Sequence, residues 1–306
     1  MDHEFNVTYI TLYGYAEMGI YRYLIFLDLF AVYILAISFN AIIVYLIWIH
    51  RNLHEPMFIF IAALLLNSAI TSTTVYPKLL IDILSEKQII SYSACLLQCF
   101  LYYSVSASDF LLLAAMAYDR YVSICKPLQY TTIMTKNTVS IILAIAWLLP
   151  ACEIAVSTIM SSNMKLCNLN LKAIFCNNTY YALFCVTSSA RSFVDMFTLF
   201  NVAVLPILFI LFTYTRILII SYRSNRNVRK KAAQTCTPHL IILISFSSLC
   251  LYDVLIVQLD MGSDLHFIMT LQAFLYYPLF NPVVYGLKVK EIFKHLKKLL
   301  SPSKMI

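Results

Sequence analysis

Residues 96–123 read LLQCFLYYSVSASDFLLLAAMAYDRYVS, an apolar run whose charged side chains are Asp109, Asp119 and Arg120. A bilayer core about 30 Å thick is crossed by roughly 20 apolar residues in a helix. Because backbone polar groups cannot stay unpaired in lipid, a run of this length is predicted to be a transmembrane helix. The short alternating segments that are typical of a transmembrane barrel are not seen in the sequence.

Further apolar runs of similar length lie on both sides of this one. They cover residues 24–49, 57–84, 138–160, 194–220, 238–260 and 267–287. The composition agrees, because 61% of the 306 residues are hydrophobic and only 12% are charged, whereas a soluble domain is about 25% charged. The sequence therefore predicts an all-α fold, a bundle of seven transmembrane helices.

Lysine and arginine are unevenly divided between the predicted loops. When the C-terminal tail is grouped with alternate loops, 16 of the 22 Lys and Arg fall on that side. Since loops rich in these residues face the cytoplasm, we expect the N-terminus to lie outside the plasma membrane. The net charge of +7 then reflects this asymmetry and suits anionic membrane lipid, and it does not indicate a nucleic-acid surface.

Three segments are predicted along the chain: an extracellular tail over 1–23, the helix bundle over 24–287, and a cytoplasmic amphipathic helix and tail over 288–306. The apolar residues of the last segment, which are interspersed with lysines, are Ile292, Phe293, Leu296, Leu299 and Leu300. This pattern is typical of a basic helix that lies along the membrane surface.

Four of the nine cysteines fall on the predicted outer side. Cys95 lies at the start of the third helix, and Cys167, Cys176 and Cys185 lie in the long loop between helices four and five. Disulfides are expected there, and the sequence alone allows three pairings. A bridge to this loop either shapes the mouth of a pocket or only holds the loop. Asn6 begins an Asn-Val-Thr triplet, which predicts a glycosylation site.

The third run continues into MAYDRYVSICKPLQY at residues 116–130. Asp119 and Arg120 lie near its predicted inner end, where long side chains reach the interface and the cost of a charge is lower. Such a pair can act as a latch between two helix packings or as an ordinary interfacial anchor. The chemistry alone leaves both interpretations open.

This stretch resembles the signature of the odorant receptors, a family of rhodopsin-like G-protein-coupled receptors. Pro56-Met57-Phe58 at the start of helix two, KAAQTCTPH at 231–239 and NPVVYGLK at 281–288 are similar to other segments of that family. The resemblance spans essentially the whole chain, and the quoted segments are more similar to those of fish members than to those of mammalian ones. It implies a receptor of olfactory sensory neurons with disulfides Cys95–Cys176 and Cys167–Cys185.

The resemblance also implies an activation switch on the inner side. Arg120 would hold the resting state, and Tyr214 and Tyr285 would move toward it to open a cleft for a heterotrimeric G protein. The expected partner is the stimulatory olfactory type, which raises cyclic AMP. The residues assigned to the switch are Asp119, Arg120, Tyr121, Tyr214, Asn281, Pro282 and Tyr285. Pro282 removes one backbone hydrogen bond, so it predicts either a hinge or a tolerated bend.

A receptor for a small odorant needs a mostly apolar cavity with a few polar groups. We expect it between the outer halves of helices three, five, six and seven. The residues assigned to ligand binding are Tyr102, Tyr103, Ser106, Thr198, Asn201, Tyr252, Asp253 and Phe274. The wider pool also includes Ala107, Asp195, Cys250, Ile256 and Gln272. For any one of them, helix packing or lipid contact is an equal alternative.

Several other classes of protein are disfavoured. Amine receptors of this fold carry an acid in helix three where this chain has Tyr102, and visual opsins need a helix-seven lysine that residues 267–285 lack. The sequence has neither a glycine-rich phosphate loop nor a paired histidine motif, so it gives no indication of an enzyme or of a cofactor. A transporter or channel is the main alternative, but the spans show no internal repeat.

One departure from the family concerns a sodium site. Relatives usually carry an acid midway along helix two, where residues 64–68 read LLLNS. Asp109 stands at the matching position of helix three and is an intramembrane acid. With one partner missing, Asp109 is only a weak sodium candidate, and a hydrogen bond to Asn67, Ser68 or Asn281 is the alternative.

Overall fold

The structure is a computed structural model that describes residues 8–13, 21–186, 188–223, 226–258 and 277–300. Within these ranges the helices are α1 (Arg22–Ile49), α2 (Pro56–Leu84), α3 (Tyr92–Cys125), α4 (Tyr130–Ile133), α5 (Lys136–Ser162), α6 (Ser189–Leu199), α7 (Leu205–Tyr222), α8 (Arg226–Gln258), α9 (Tyr277–Lys288) and α10 (Lys290–Leu300). The strands are β1 (Tyr9–Leu12), β2 (Ile89–Ser91) and β3 (Asn170–Leu171).

Five stretches of the described chain are long and apolar enough to cross a membrane. They are α1, α2, α3, α5 and the continuous segment Ser189–Tyr222, which joins α6 and α7 through a π turn. A shorter apolar stretch, Cys236–Leu251, lies within α8. The prediction of a mostly helical membrane protein is therefore confirmed. The seventh run lies partly outside the described residues, with α9 at its C-terminal end.

Large apolar side chains cover the outside of these helices. Trp48 is 74% exposed, and Leu148, Phe212 and Leu218 are each more than 60% exposed. A soluble monomer rarely exposes apolar surface on this scale, so lipid is the natural contact of this face. Helices in lipid gain little from the hydrophobic effect against one another and associate mainly by close packing.

A small sheet caps one end of the helices, the end that the predicted topology makes the outer one, and the all-α prediction did not include it. Strand β1 pairs antiparallel with β2 and parallel with β3. Its side chains alternate, with Ile10 and Leu12 buried and Tyr9 exposed, as expected for a strand with one buried face. Residues 9–12 of the predicted tail are thus attached to the loop after α5 instead of extending from the bundle.

The basic segment before the sixth run is helical, although the sequence predicted a loop there. Helix α8 begins at Arg226, twelve residues before the predicted span at 238. Lysine, arginine and alanine are strong helix formers, and this segment is rich in them. The helix therefore continues beyond the apolar stretch and carries basic residues on its inner extension.

Helix α10 packs against the inner end of α1, in line with the amphipathic helix predicted after the seventh run. Ile292 is fully buried on its apolar face. The rings of His50 and His295 lie 3.8 Å apart between centroids, and the Asn52 side-chain amide lies 3.1 Å from Nε2 of His295. Partial burial, followed by the proximity of His50, lowers the pKa of His295.

Acidification is expected to weaken this packing. The pKa of His295 is lowered in the folded chain. Its contribution to the stability of this packing is therefore complete above the ordinary histidine pKa of about 6.5 and declines as the pH falls below it. Lys294 and Lys298 add to the repulsion of a protonated ring. The hydrogen-exchange protection factors of the amides in α10, which are corrected for the pH dependence of the intrinsic exchange rate, should therefore fall at acidic pH in the wild type and much less in His295→Gln. An equal fall in both would contradict this role of His295.

Candidate ligand-binding cavity and inner-side polar cluster

A cavity of about 410 Å³ lies in the outer half of the bundle, between α2, α3, α5, α6, α8, α9 and the long outer loop. Its volume falls in the usual range of small-molecule sites, about 300–1,000 Å³. Four of the residues assigned from the sequence line it: Tyr102, Tyr103, Ser106 and Thr198. Apolar contributions come from residues such as Phe110 and Phe246, so the cavity is mostly apolar with a few polar groups.

Asn201 is not among the residues that line the cavity. In a regular helix its spacing of three residues from Thr198 would place the two side chains on one face. The π turn Phe200–Val204 inserts an extra residue into this helix and rotates Asn201 toward α5. There its Nδ2 donates to Oε1 of Glu153 at 3.0 Å, a contact between the fourth and fifth spans.

Three other assigned ligand residues cannot be located. Tyr252 and Asp253 lie on α8 in a part whose side chains are outside the description, and Phe274 lies outside the described residues. The predicted glycosylation site at Asn6 also lies outside them. These assignments stay predictions.

The outer loop covers the cavity and is held in place by two disulfides. Cys95–Cys176 joins the loop to α3, and Cys167–Cys185 closes a smaller ring within the loop. This is the pairing that the resemblance implies. The backbone N–H of Cys176 also donates to Oε1 of Gln98 at 3.0 Å. The loop is therefore attached both covalently and by hydrogen bonds to the helix that forms one cavity wall.

Aromatic residues of this loop, which were not predicted from the sequence, form the outer wall of the cavity. A 3₁₀-helix, Asn178–Leu183, brings Tyr180 and Tyr181 to the lining. Tyr103 of α3 accepts a 2.8 Å hydrogen bond from the Asn178 backbone N–H, which joins the loop to the cavity wall. The available signal was the adjacent tyrosine pair in the short stretch between Cys176 and Cys185.

Arg191 of α6 connects the loop to the fifth span. Its side chain is almost completely buried, and its guanidinium lies 5.2, 4.3 and 4.6 Å from the ring centroids of Tyr180, Tyr181 and Phe184. It donates to the Tyr180 hydroxyl at 2.5 Å. Burial, followed by the influence of Tyr180 and Asp195, raises the pKa of Tyr181 well above its ordinary value, so its hydroxyl stays a donor at physiological pH.

The floor of the cavity is a polar network around Asp109. This carboxyl is 3% exposed, and its Oδ1 accepts from Nδ2 of Asn67 at 2.9 Å. Nε1 of Trp147 donates to Oδ1 of the same Asn67 amide at 3.0 Å. Nδ2 of Asn281 donates to the Ser68 hydroxyl at 2.8 Å. Of the three partners considered for Asp109, Asn67 is therefore the one it contacts.

The residues present do not fit a strong sodium site. The described part of the chain brings together no group of three or more His, Cys, Asp or Glu side chains that could hold a metal ion. Asp109 offers a single carboxylate, and Asn67 already donates to it. Sodium binding at Asp109 therefore stays a prediction.

The inner end of α3 carries a buried ion pair. Asp119 is fully buried, and its Oδ2 accepts from Nη2 of Arg120 at 2.7 Å. Its Oδ1 accepts from the Tyr130 hydroxyl of α4 at 2.8 Å. Burial, followed by the Asp119 carboxylate, raises the pKa of Tyr130, which keeps this hydroxyl a donor. Tyr130 stood in the quoted motif without an assigned role.

Two of the tyrosines assigned to the switch are buried in this arrangement. Tyr285 is fully buried, and its hydroxyl points to Sδ of Met116 at 3.9 Å, while Tyr214 is buried on α7. Within the described residues, no hydrogen bond joins Arg120 to either tyrosine. Tyr121 is half-buried beside the ion pair, and Pro282 lies within α9 directly after Asn281.

Comparison with known proteins agrees with this architecture. The family model of the olfactory receptors matches residues 29–303. Human olfactory receptor 11H1 is 34% identical over 284 residues, which cover 90% of this chain and 85% of that protein. Human olfactory receptor 5F1 is 30% identical over 97% of this chain and 95% of its own length, and mouse olfactory receptor 6E1 is 30% identical over 97% and 98%.

By class the chain is therefore a G-protein-coupled receptor, a multi-pass protein of the plasma membrane. It belongs to the olfactory receptor family. Members of this family are receptors and not enzymes, in agreement with the sequence analysis. The relatives named here come from human and mouse, and the closer likeness to fish receptors stays a prediction.

Proposed function

We propose that this receptor binds a small odorant in the outer cavity and activates a stimulatory olfactory-type G protein, raising cyclic AMP. The observation that carries the proposal is the mostly apolar cavity beneath a disulfide-held loop in a chain of this family. Polar groups at fixed positions, such as Tyr103 and Thr198, give such a cavity the means to orient a ligand.

The proposed topology has seven spans, an extracellular N-terminus and a cytoplasmic α10. The uneven distribution of Lys and Arg supports this orientation. It is also supported by the two disulfides, because such bonds form in the oxidising compartment that leads to the cell surface. The proposed segments remain 1–23, 24–287 and 288–306, and the proposed site of expression is the olfactory sensory neuron.

The proposed signal passes through the floor of the cavity. Asp109 and Ser68 both line the cavity, and Ser68 is hydrogen-bonded to Asn281. Asn281 precedes Pro282, whose missing N–H weakens the helix at that point. A ligand that binds one packing of this network better than another shifts the population toward it. Tyr285 lies one turn further along α9 and follows that shift.

The proposed output lies at the inner end of α3. In the arrangement described here, Asp119 holds Arg120 and is itself held by Tyr130. We infer that this is the resting arrangement. When the inner end of α8 moves outward, Arg120 is released toward Tyr214 and Tyr285, and the basic extension of α8 meets the G protein.

The experiment is a cyclic AMP assay in cells that express the receptor with a stimulatory olfactory-type G protein, screened against a broad odorant panel. Surface expression is verified by antibody labelling of an N-terminal tag on intact cells. A dose-dependent rise that is absent from cells lacking the receptor supports the proposal. Ion or solute flux without dependence on a G protein would instead favour the transporter alternative.

A further inference from the structure

The acidic side chains among the described lining residues are Asp109 and Asp195. Asp109 lies at the floor and Asp195 in the wall formed by α6, and the described lining residues include no lysine, arginine or histidine. The described lining therefore offers no cation with which to bind an anionic ligand.

Asp195 is fixed in position and still accessible from the cavity. Its Oδ1 accepts from the Ser157 hydroxyl at 2.5 Å, and its Oδ2 accepts from the Tyr181 hydroxyl at 3.2 Å. These donors lie on α5 and on the disulfide-held loop. The carboxylate nevertheless keeps 28% of its side chain exposed. A carboxylate can accept about four hydrogen bonds, so two donors leave acceptor capacity for a ligand.

Arg191 forms an ion pair with this carboxylate but does not line the cavity itself. Its Nε lies 3.6 Å from Oδ2 of Asp195, and that nitrogen makes no hydrogen bond, so the ion pair leaves the acceptor capacity of the carboxylate open. The guanidinium is instead committed to Tyr180 and Met164 and is covered by aromatic rings. Arg191 is not among the cavity-lining residues, so a ligand meets the carboxylate of Asp195 first.

We propose that the cavity selects small organic cations, such as protonated amines with a compact apolar body, and that Asp195 is their counter-ion. This inference rests on the proposed function and narrows its ligand class. Tyr102 on helix three disfavours only an amine that is held by an acid at that position. Here the acid comes from the outer part of the fifth span. Charge-assisted hydrogen bonds of this kind are roughly twice as strong as neutral ones.

The test compares amines, alcohols and carboxylic acids that share the same carbon skeletons. Cyclic AMP is measured for the wild type, Asp195→Asn and Asp195→Glu, and for Glu86→Gln, which removes an acid from the exposed outer surface away from the cavity. We expect amines to be the active class. Asp195→Asn should lower amine potency by about tenfold or more, Asp195→Glu should retain most of it, and Glu86→Gln should leave it unchanged.

A direct binding measurement separates this inference from the proposed function. Purified receptor in detergent is heated with and without an amine, and the shift in unfolding temperature is recorded. The amine is one that was active in cells or, if none was active, each member of the amine series. Stabilisation by amines that is lost in Asp195→Asn supports the counter-ion even if no G protein responds. Activation by acids or alcohols but not amines overturns the inference and leaves the odorant receptor standing. Equal amine potency in Asp195→Asn and the wild type also overturns it.

Discussion

Replacing Cys95 and Cys176 together with alanine is expected to reduce folded receptor far more than replacing Cys167 and Cys185. The first bridge spans 81 residues of sequence and the second spans 18. In the chain-entropy treatment this difference alone favours the longer bridge by about 1 kcal/mol, and removal of a native disulfide typically costs about 2–5 kcal/mol. The first bridge also ties the loop to α3, whereas the second lies within the loop.

The measurement is surface labelling of intact cells together with the unfolding temperature of the purified protein. The Cys167–Cys185 pair serves as the matched control, because both double variants remove one bridge and two thiols. We further expect the first variant to lose odorant responses at any surface level, since Tyr180 and Tyr181 depend on this loop for their place in the cavity wall. Equal losses in the two variants would contradict the account.

Replacing Arg120 with alanine is expected to destabilise the receptor and to abolish its signal. The substitution leaves Asp119 fully buried with only the Tyr130 hydroxyl as donor. Removing one partner of a buried ion pair costs at most about 3–5 kcal/mol, and the cost is reduced here because Arg120 keeps 11% of its side chain exposed. Thermal unfolding of the purified variant measures the loss of stability, and cyclic AMP measures the loss of signal.

A double variant separates the two effects. Asp119→Leu combined with Arg120→Leu removes both charges, and well-packed apolar residues replace a buried pair at little cost. We therefore expect the double variant to recover most of the thermal stability but none of the odorant response. Recovery of the response with stability would mean that the pair is only an interfacial anchor, the alternative that the sequence left open.

The helices were largely predictable because their signal is a single property, the length of an apolar run. Residues 96–123 fall within α3, and 57–84 fall within α2. The ends were less predictable, since α8 extends into a basic segment where helix propensity and not hydropathy decides the structure. The sheet formed by β1, β2 and β3 was missed because each strand is two to four residues long and pairs over a long sequence distance.

The cavity was predictable where it follows regular helical geometry. Tyr102, Tyr103 and Ser106 follow one another along α3 and all line it. Asn201 departed from the prediction because a π turn is a local irregularity that no residue pattern in the run announces. Tyr181 was missed because a loop has no periodicity from which to infer which side chains point inward.

The central claim is that a ligand in this cavity drives the G protein. Ala107 lines the cavity on α3 and is almost completely buried, so Ala107→Phe places a ring inside the chamber. The decisive measurement is cyclic AMP evoked by an active odorant in this variant and in the wild type at equal surface level. The account predicts that the response is lost while basal cyclic AMP is unchanged. A full odorant response in the blocked receptor would contradict it.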